Sequence, residues 1–315
     1  LAPLGVEIAP FGEEHVEGAA GLLAARHARH REVEPLLPEL ENARAEVERA
    51  RAPESTSGVV ALDGDAIAGF LVGALREDEY FGQHVWVGHG AHAAREPEIA
   101  RDLYAGIAGE WVAQGAALHL ALVPAVPEIA DPWFRLAFAH MQVHAIRESG
   151  ADPRPPANGL TVRQAGVEDL RAATPLLTLI WEHHTRPPTF TGLVVPDVQA
   201  FLADWEETLV EYDAAYFVAE LEGRIVGHLA LYPEEPNLAT PPGSVYLAVA
   251  ATLPETRGLG AGVALTDAAL AWARDAGYHA VHTDWRMANL QSSRFWPRRG
   301  FRETFYRLAR RVEIG

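Results

Sequence analysis

Hydrophobic residues in this chain recur with two spacings: alternate positions over short runs, and every third or fourth position over longer ones. In the first half the alternating runs predict strands at 6–10, 57–62, 67–75, 83–88, 118–123 and 141–146. The longer spacing predicts helices at 13–31, 37–52, 97–114 and 131–138. Asp63-Gly64-Asp65 between two apolar runs marks a hairpin. From residue 160 the same succession starts again: a strand at 160–164, helices at 167–184 and 196–212, and a hairpin of 215–221 with 224–232. A strand at 245–249, a helix at 263–276, a strand at 279–284, a short helix at 291–298 and a strand at 302–310 follow. Trp111 then Gly115 corresponds to Trp272 then Gly277, and Trp133 then Phe138 to Trp296 then Phe301. The chain is therefore expected to hold two copies of one fold. Each copy mixes hairpin strands with crossover helices, so the class is α/β (α+β) with a mixed central sheet flanked by helices. Residues 149–159, with Pro153, Pro155, Pro156 and two glycines, read as the linker between domains at 1–148 and 160–315.

Composition narrows the partners. Of 315 residues 49% are apolar and 22% charged, the balance of a soluble globular protein. A net charge of -17 argues against a nucleic-acid partner, which requires a basic surface. The chain has no cysteine, which excludes a disulfide framework, a thiolate nucleophile and a cysteine metal site. Residues 111–127 form the longest uncharged stretch, but a glycine, a histidine and two prolines break it as a membrane span. No membrane partner and a cytoplasmic location are expected, because Glu7, Glu13 and Glu14 interrupt any secretory signal. Oligomeric state has no signature here. His27 with His30 and His89 with His92 have metal-ligand spacing but no further convergent ligands, so no metal is expected and these histidines are placed at the surface.

One stretch carries chemistry. Between the 245–249 strand and the following helix lies Arg257-Gly258-Leu259-Gly260-Ala261-Gly262. Glycines let a backbone approach an anion closely, and the helix start adds partial positive charge, so a phosphate group is expected. The stretch lacks the Lys-Ser/Thr of a P-loop. A dinucleotide fingerprint is an alternative, with Asp284 in the place of the ribose-binding acid, but it should follow its strand directly and residues 252–257 intervene.

The Arg257–Gly262 run resembles the Arg/Gln-x-x-Gly-x-Gly/Ala signature of the GNAT superfamily of N-acetyltransferases. The downstream Asn289 to Phe301 run resembles the family's second signature, and the order of elements in both halves is similar to that fold. The resemblance implies two tandem folds with splayed sheets and an acetyl-CoA site in the second. Backbone amides of Gly258, Leu259, Gly260, Ala261, Gly262 and Val263 would cradle the pyrophosphate, with Arg257 as charge partner. Ala250, Ala251 and Thr252 would pair with the pantetheine arm, Asn289 would hydrogen-bond it, and Ser292 or Ser293 would assist. Many members carry a tyrosine acid where this chain has Trp296, and indole N–H is only a donor. The first copy has Glu96-Pro97-Glu98-Ile99-Ala100-Arg101 in the corresponding place, without glycine, so it is expected to be a degenerate copy with no cofactor site.

The expected activity is acetyl transfer from acetyl-CoA to an amine, here a small-molecule acceptor, by direct attack in a ternary complex. Asp284, His184 and Glu182 are the candidate catalytic groups, and His183 and His228 are further candidate bases. A non-catalytic acyl-CoA-binding module is the alternative.

Overall fold

The computed structural model describes residues 5–150, 156, 159–191, 197–212 and 214–313, and most of the expected linker lies outside them. The chain forms two compact units, one of Leu1–His144 with Glu303–Gly315 and one of Ala145–Arg302.

In order, the chain forms β1 (Glu7–Pro10), α1 (Val16–Val33), α2 (Ala43–Arg51), β2 (Thr56–Asp63), β3 (Ala66–Asp78), β4 (Gly82–Val87) and β5 (His92–Ala94). Next come α3 (Ile99–Ala113), β6 (Leu118–Pro124), α4 (Pro127–Arg135), β7 (Ala139–Glu148), β8 (Leu160–Ala165), α5 (Val167–Leu177), α6 (Leu179–His184) and α7 (Val198–Glu211). The last are β9 (Ala215–Leu221), β10 (Arg224–Tyr232), β11 (Ser244–Thr252), α8 (Ala261–Asp275), β12 (Ala280–Arg286), α9 (Ser292–Phe295) and β13 (Arg302–Arg311). Most follow the predicted periods closely. The helix expected at 37–52 starts only at Ala43, where Asn42 caps it by accepting the Ala45 N–H at 2.9 Å.

The first unit's sheet runs β1-β2-β3-β4-β6-β13, with β5 paired to β3. Its last strand comes from the end of the chain. From Glu303, β13 lies antiparallel to β6, with Phe305 opposite Pro124 and Arg311 opposite Leu118. The sequence division at 149–159 had grouped this strand with the second half. The second unit's sheet runs β12-β11-β10-β9-β8, and the chain enters this unit within β7, which neighbours β12. In each half, the strand that follows the short α4 or α9 helix thus crosses from one unit into the other.

The internal repeat is visible in the geometry. Trp133 and Phe138 meet edge-to-face at 5.1 Å, and Trp296 and Phe301 do so at 5.3 Å. In each pair the phenylalanine N–H donates to the tryptophan carbonyl, at 3.1 and 3.2 Å.

The histidines expected at the surface of the first unit are instead in its interior. His27, His30 and His92 are buried. His27 Nε2 lies 2.7 Å from the Pro38 carbonyl and His92 Nε2 lies 3.0 Å from the Leu122 carbonyl. A neutral imidazole with one carbonyl partner tolerates burial, which hydropathy alone does not register. Phe305 of β13 is fully buried among them, 4.8 Å from the His30 ring and 4.6 Å from the His89 ring.

Two outcomes follow from this packing. Phe305→Ala should cost about 3–5 kcal/mol, and the amide protection lost in hydrogen exchange should fall on β2–β4 and β6; losses confined to 160–302 would contradict the strand assignment. Burial pushes His30 and His92 down to about 3. The unfolded chain takes up these protons near its ordinary value of about 6.5, so their contribution to stability is full above that pH and fades as pH falls toward 3. The first unit's melting temperature should therefore drop as pH is lowered from about 7 to 5, and a flat profile in thermal melts would count against neutral buried histidines.

Candidate active site

The site begins where two parallel strands part. β11 and β12 pair from Ser244 with Ala280 to Leu247 with Thr283. Each strand continues, to Thr252 and Arg286, without pairing to the other. On its opposite edge β11 stays paired to β10 as far as Thr252 with Gly227. Ala248 is an extra residue there, because Leu231 faces Leu247 whereas Ala230 faces Val249. A bulge of this kind bends its strand and strengthens its twist. A pocket of about 440 Å³ opens beside the parted end of β11, with Ala250, Ala251 and Thr252 in its wall.

The glycine loop forms the next wall. Gly258 and Gly260 have φ of +84° and +98°, which only glycine adopts freely, and a Cβ on either would meet nothing within 4 Å. Open space thus lies over the bare backbone. The Ala264 N–H donates to Gly260 O at 3.0 Å and closes the first turn of α8. Among the described residues, the amides of Gly258, Gly260, Ala261, Gly262 and Val263 have no protein acceptor. Arg257 is exposed beside them on the pocket wall. The Leu259 amide is used internally, donating to Thr256 O at 3.3 Å, and Leu259 is absent from the wall. Unpaired amides, a helix start and an arginine make a receptor for an anion of phosphate type.

Asn289 faces this loop across the pocket. Its Oδ1 accepts the Gln291 and Ser292 amides at 3.1 and 3.2 Å, which fixes the orientation of the side-chain amide. His183 Nε2 lies 3.1 Å from the same oxygen, which can only accept, so Nε2 donates to it. The NH2 of Asn289 has no protein acceptor among the described residues and is available to a ligand carbonyl. Ser292 lines the pocket and Ser293 does not. Trp296 contributes to the wall while packing between Phe295 and Phe301, at 4.9 and 5.3 Å.

The candidate catalytic groups divide. His183 lines the pocket, whereas His184, Glu182 and Asp284 lie outside its wall. Asp284 is one residue beyond the last β11–β12 pair, at the point of parting, and accepts the Tyr246 hydroxyl at 2.8 Å. Burial holds Tyr246 well above the usual phenol range, and Asp284 adds to that effect. His184 is pushed down to about 4 by burial, then by Arg286 and His183, with Asp284 opposing. Glu182 turns elsewhere, accepting the Thr178 hydroxyl at 3.1 Å and lying 3.7 Å from Arg186. His228 is fully buried and reaches the pocket. Its Nδ1 is 3.4 Å from the Tyr216 hydroxyl, and burial pushes it down to about 4. Nothing in the local sequence separates His183 from His184; only the pitch of the short helix α6 decides which one faces the cavity.

A dinucleotide site does not suit this setting. The strand before the glycines pairs antiparallel with β10, and a 3-10 turn at Pro254–Thr256 separates it from the loop. Among the described residues no group of three or more His, Asp or Glu could hold a metal ion, and no helix is long and apolar enough to cross a membrane.

Comparison with known proteins agrees with this geometry. Residues 177–301 match the family model described as Acetyltransferase (GNAT) family. Among solved structures, the chain is similar over 100% of its length to 98% of a GCN5-related N-acetyltransferase from Sphaerobacter thermophilus, at 17% identity and a TM-score of 0.59. It is similar over 98% of its length to 38% of a fungal multi-domain beta-N-acetylglucosaminidase chain with a glucosamine N-acetyltransferase region, at 14% identity and a TM-score of 0.55. At these identities the likeness speaks for the fold. No curated protein matches the sequence significantly. The parted strands, the glycine loop and the matched residues lie together in the second unit, and the chain carries there, across 177–301, an acetyltransferase domain of the GNAT family.

Proposed function

We propose that the second unit transfers an acetyl group from acetyl-CoA to an amine-bearing small molecule by direct attack in a ternary complex. The observation that carries this reading is the set of unpaired donors around one pocket: five loop amides, the Asn289 NH2 and the parted end of β11. The loop amides and Arg257 would bind the pyrophosphate. Ala250, Ala251 and Thr252 would pair with the pantetheine amides as an added strand would. Asn289 would donate to the same arm, with Ser292 nearer the pocket than Ser293.

In the transfer, the amine nitrogen forms a bond to the thioester carbon, the C–S bond breaks, and the sulfur leaves as thiolate. The amine must shed a proton, and Asp284 at the point of parting is the group we assign to take it. Tyr246 orients that carboxylate through its hydrogen bond. His184 stays neutral near pH 7, which suits a relay beside Asp284 better than a strong base. Trp296 supplies no proton to the thiolate, since indole N–H is a donor and no acid in this range.

One site per chain is proposed. In the first unit's corresponding turn, the amides of Ile99, Ala100 and Arg101 donate to Glu96, Pro97 and Glu98 carbonyls at 3.0–3.1 Å. Glu98 is engaged by Arg101 and Arg135, both at 2.5 Å. That turn satisfies itself and presents carboxylates, so it offers little to a pyrophosphate.

Calorimetric titration of the full chain with acetyl-CoA should give a stoichiometry near one, and Gly260→Glu should abolish the binding. A stoichiometry near two, or unchanged affinity in the variant, would overturn the assignment of the donor site. Release of free thiol in the presence of an amine panel should accompany turnover; tight binding with no release on any amine would favour the non-catalytic module. Asp284→Asn should lower kcat about 10²–10⁴-fold with acetyl-CoA affinity unchanged, and an unchanged kcat would remove Asp284 from the chemistry.

A further inference from the structure

The first unit has its own small cavity, of about 30 Å³, walled by α1, β3, β5, α3 and α4 and partly open to solvent. Its volume is close to that of one water molecule. Arg26 lies on its wall and is only 2% exposed. Two of its nitrogens donate to the His89 and His92 carbonyls, and its Nε–H has no partner. Trp133 lies on the same wall at 1% exposure, and its indole N–H also has no partner. Neither group can accept a hydrogen bond, so two residues of one cavity wall each carry a buried donor without an acceptor.

Charge separates the candidate occupants. A buried guanidinium is normally paired with a carboxylate, because an isolated charge in the interior is strongly unfavourable. Among the described residues Arg26 has no carboxylate partner; burial pushes it down to about 9, and the neighbouring charge acting on it is Arg29, also on the cavity wall. His92, the fourth polar wall residue, has its Nε2 3.0 Å from the Leu122 carbonyl, is held neutral by burial and supplies no negative charge. A water molecule would accept both orphaned N–H groups and leave the cation uncompensated. A small anion would do both.

We propose that this cavity is a binding site for one small monovalent anion of halide size, held by Arg26 Nε–H and Trp133 Nε1–H. The anion ties α1 to α4, and it occupies the first unit's counterpart of the place where the second unit keeps its larger pocket. Trp133 and Trp296, the corresponding residues of the two halves, each line their own unit's cavity.

The test compares thermal unfolding of the full chain in potassium chloride and in potassium gluconate at equal ionic strength. Gluconate is too large to enter. Chloride should raise the first unit's midpoint by roughly 3–6 °C once it exceeds its dissociation constant about tenfold. Trp133→Phe, which keeps the ring and removes one donor, should shrink that rise, and Arg26→Met should remove it. If Arg26→Met does not fold, wild type and Trp133→Phe still decide the matter. Crystals soaked in bromide should show an anomalous peak within hydrogen-bond distance of both nitrogens. Midpoints that follow ionic strength alone, or a cavity holding water at saturating bromide, would overturn the proposal.

Discussion

The second unit depends on one unmet demand: β11 has two edges, and beyond Leu247 only one of them has a partner. Backbone N–H and C=O groups left unpaired in a sheet invite pairing from outside the chain. The extra residue at Ala248 keeps the β10 side of the strand paired while the β12 side opens. Every element of the pocket is arranged around that opening. The glycine loop continues from its end, α8 starts beside it, and Asn289 follows the far strand. None of these would form a site if β11 and β12 stayed paired to their ends.

The two units show how small a difference separates a binding turn from a structural one. In both, a turn leads into a helix that ends at a tryptophan and a left-handed glycine, with φ of +93° at Gly115 and +90° at Gly277. In the first unit, Glu96 to Arg101 closes its amides onto its own carbonyls. In the second, glycines at 258 and 260 turn the chain so that the following amides point at open space. The second turn thus leaves open the hydrogen bonds that the first makes to itself. Pro97 and the carboxylates at Glu96 and Glu98 reinforce the closed arrangement, since proline has no N–H to offer and a carboxylate repels phosphate.

Local features were legible in the sequence, because strand alternation, hairpin glycines and the Arg257–Gly262 run each act through neighbouring residues. The Trp133–Phe138 and Trp296–Phe301 correspondence held for the same reason, since each pair sits on one short segment. Long-range choices were not legible. The residues 303–311 have a strand pattern that suits either sheet, and only the pairing of Phe305 with Pro124 reveals which one they join. His30 and His92 read as polar, yet an imidazole that meets a carbonyl or an aromatic edge is at home in a core. The choice between His183 and His184 rests on about 100° of helix rotation, which spacing alone cannot orient against a cavity not yet known.

The first unit is therefore better described as a rebuilt copy than as a decayed one. A decayed site would keep its open cleft and lose its contacts. Here the corresponding space is filled by Arg26, His30, His92 and Trp133, all buried, with the arginine holding the β5 region through two carbonyls. Such a polar core is stable only if its donors are met, because each buried unmet donor costs about 1–3 kcal/mol and an unmet charge more. The Arg26 and Trp133 donors, on two residues that line one small cavity, are among the buried groups of this unit left without a partner. Tryptophan at 133 and 296 supplies the same aromatic edge to Phe138 and Phe301 in both units. Packing accounts for the shared ring, and the different surroundings decide what each unit's cavity can hold.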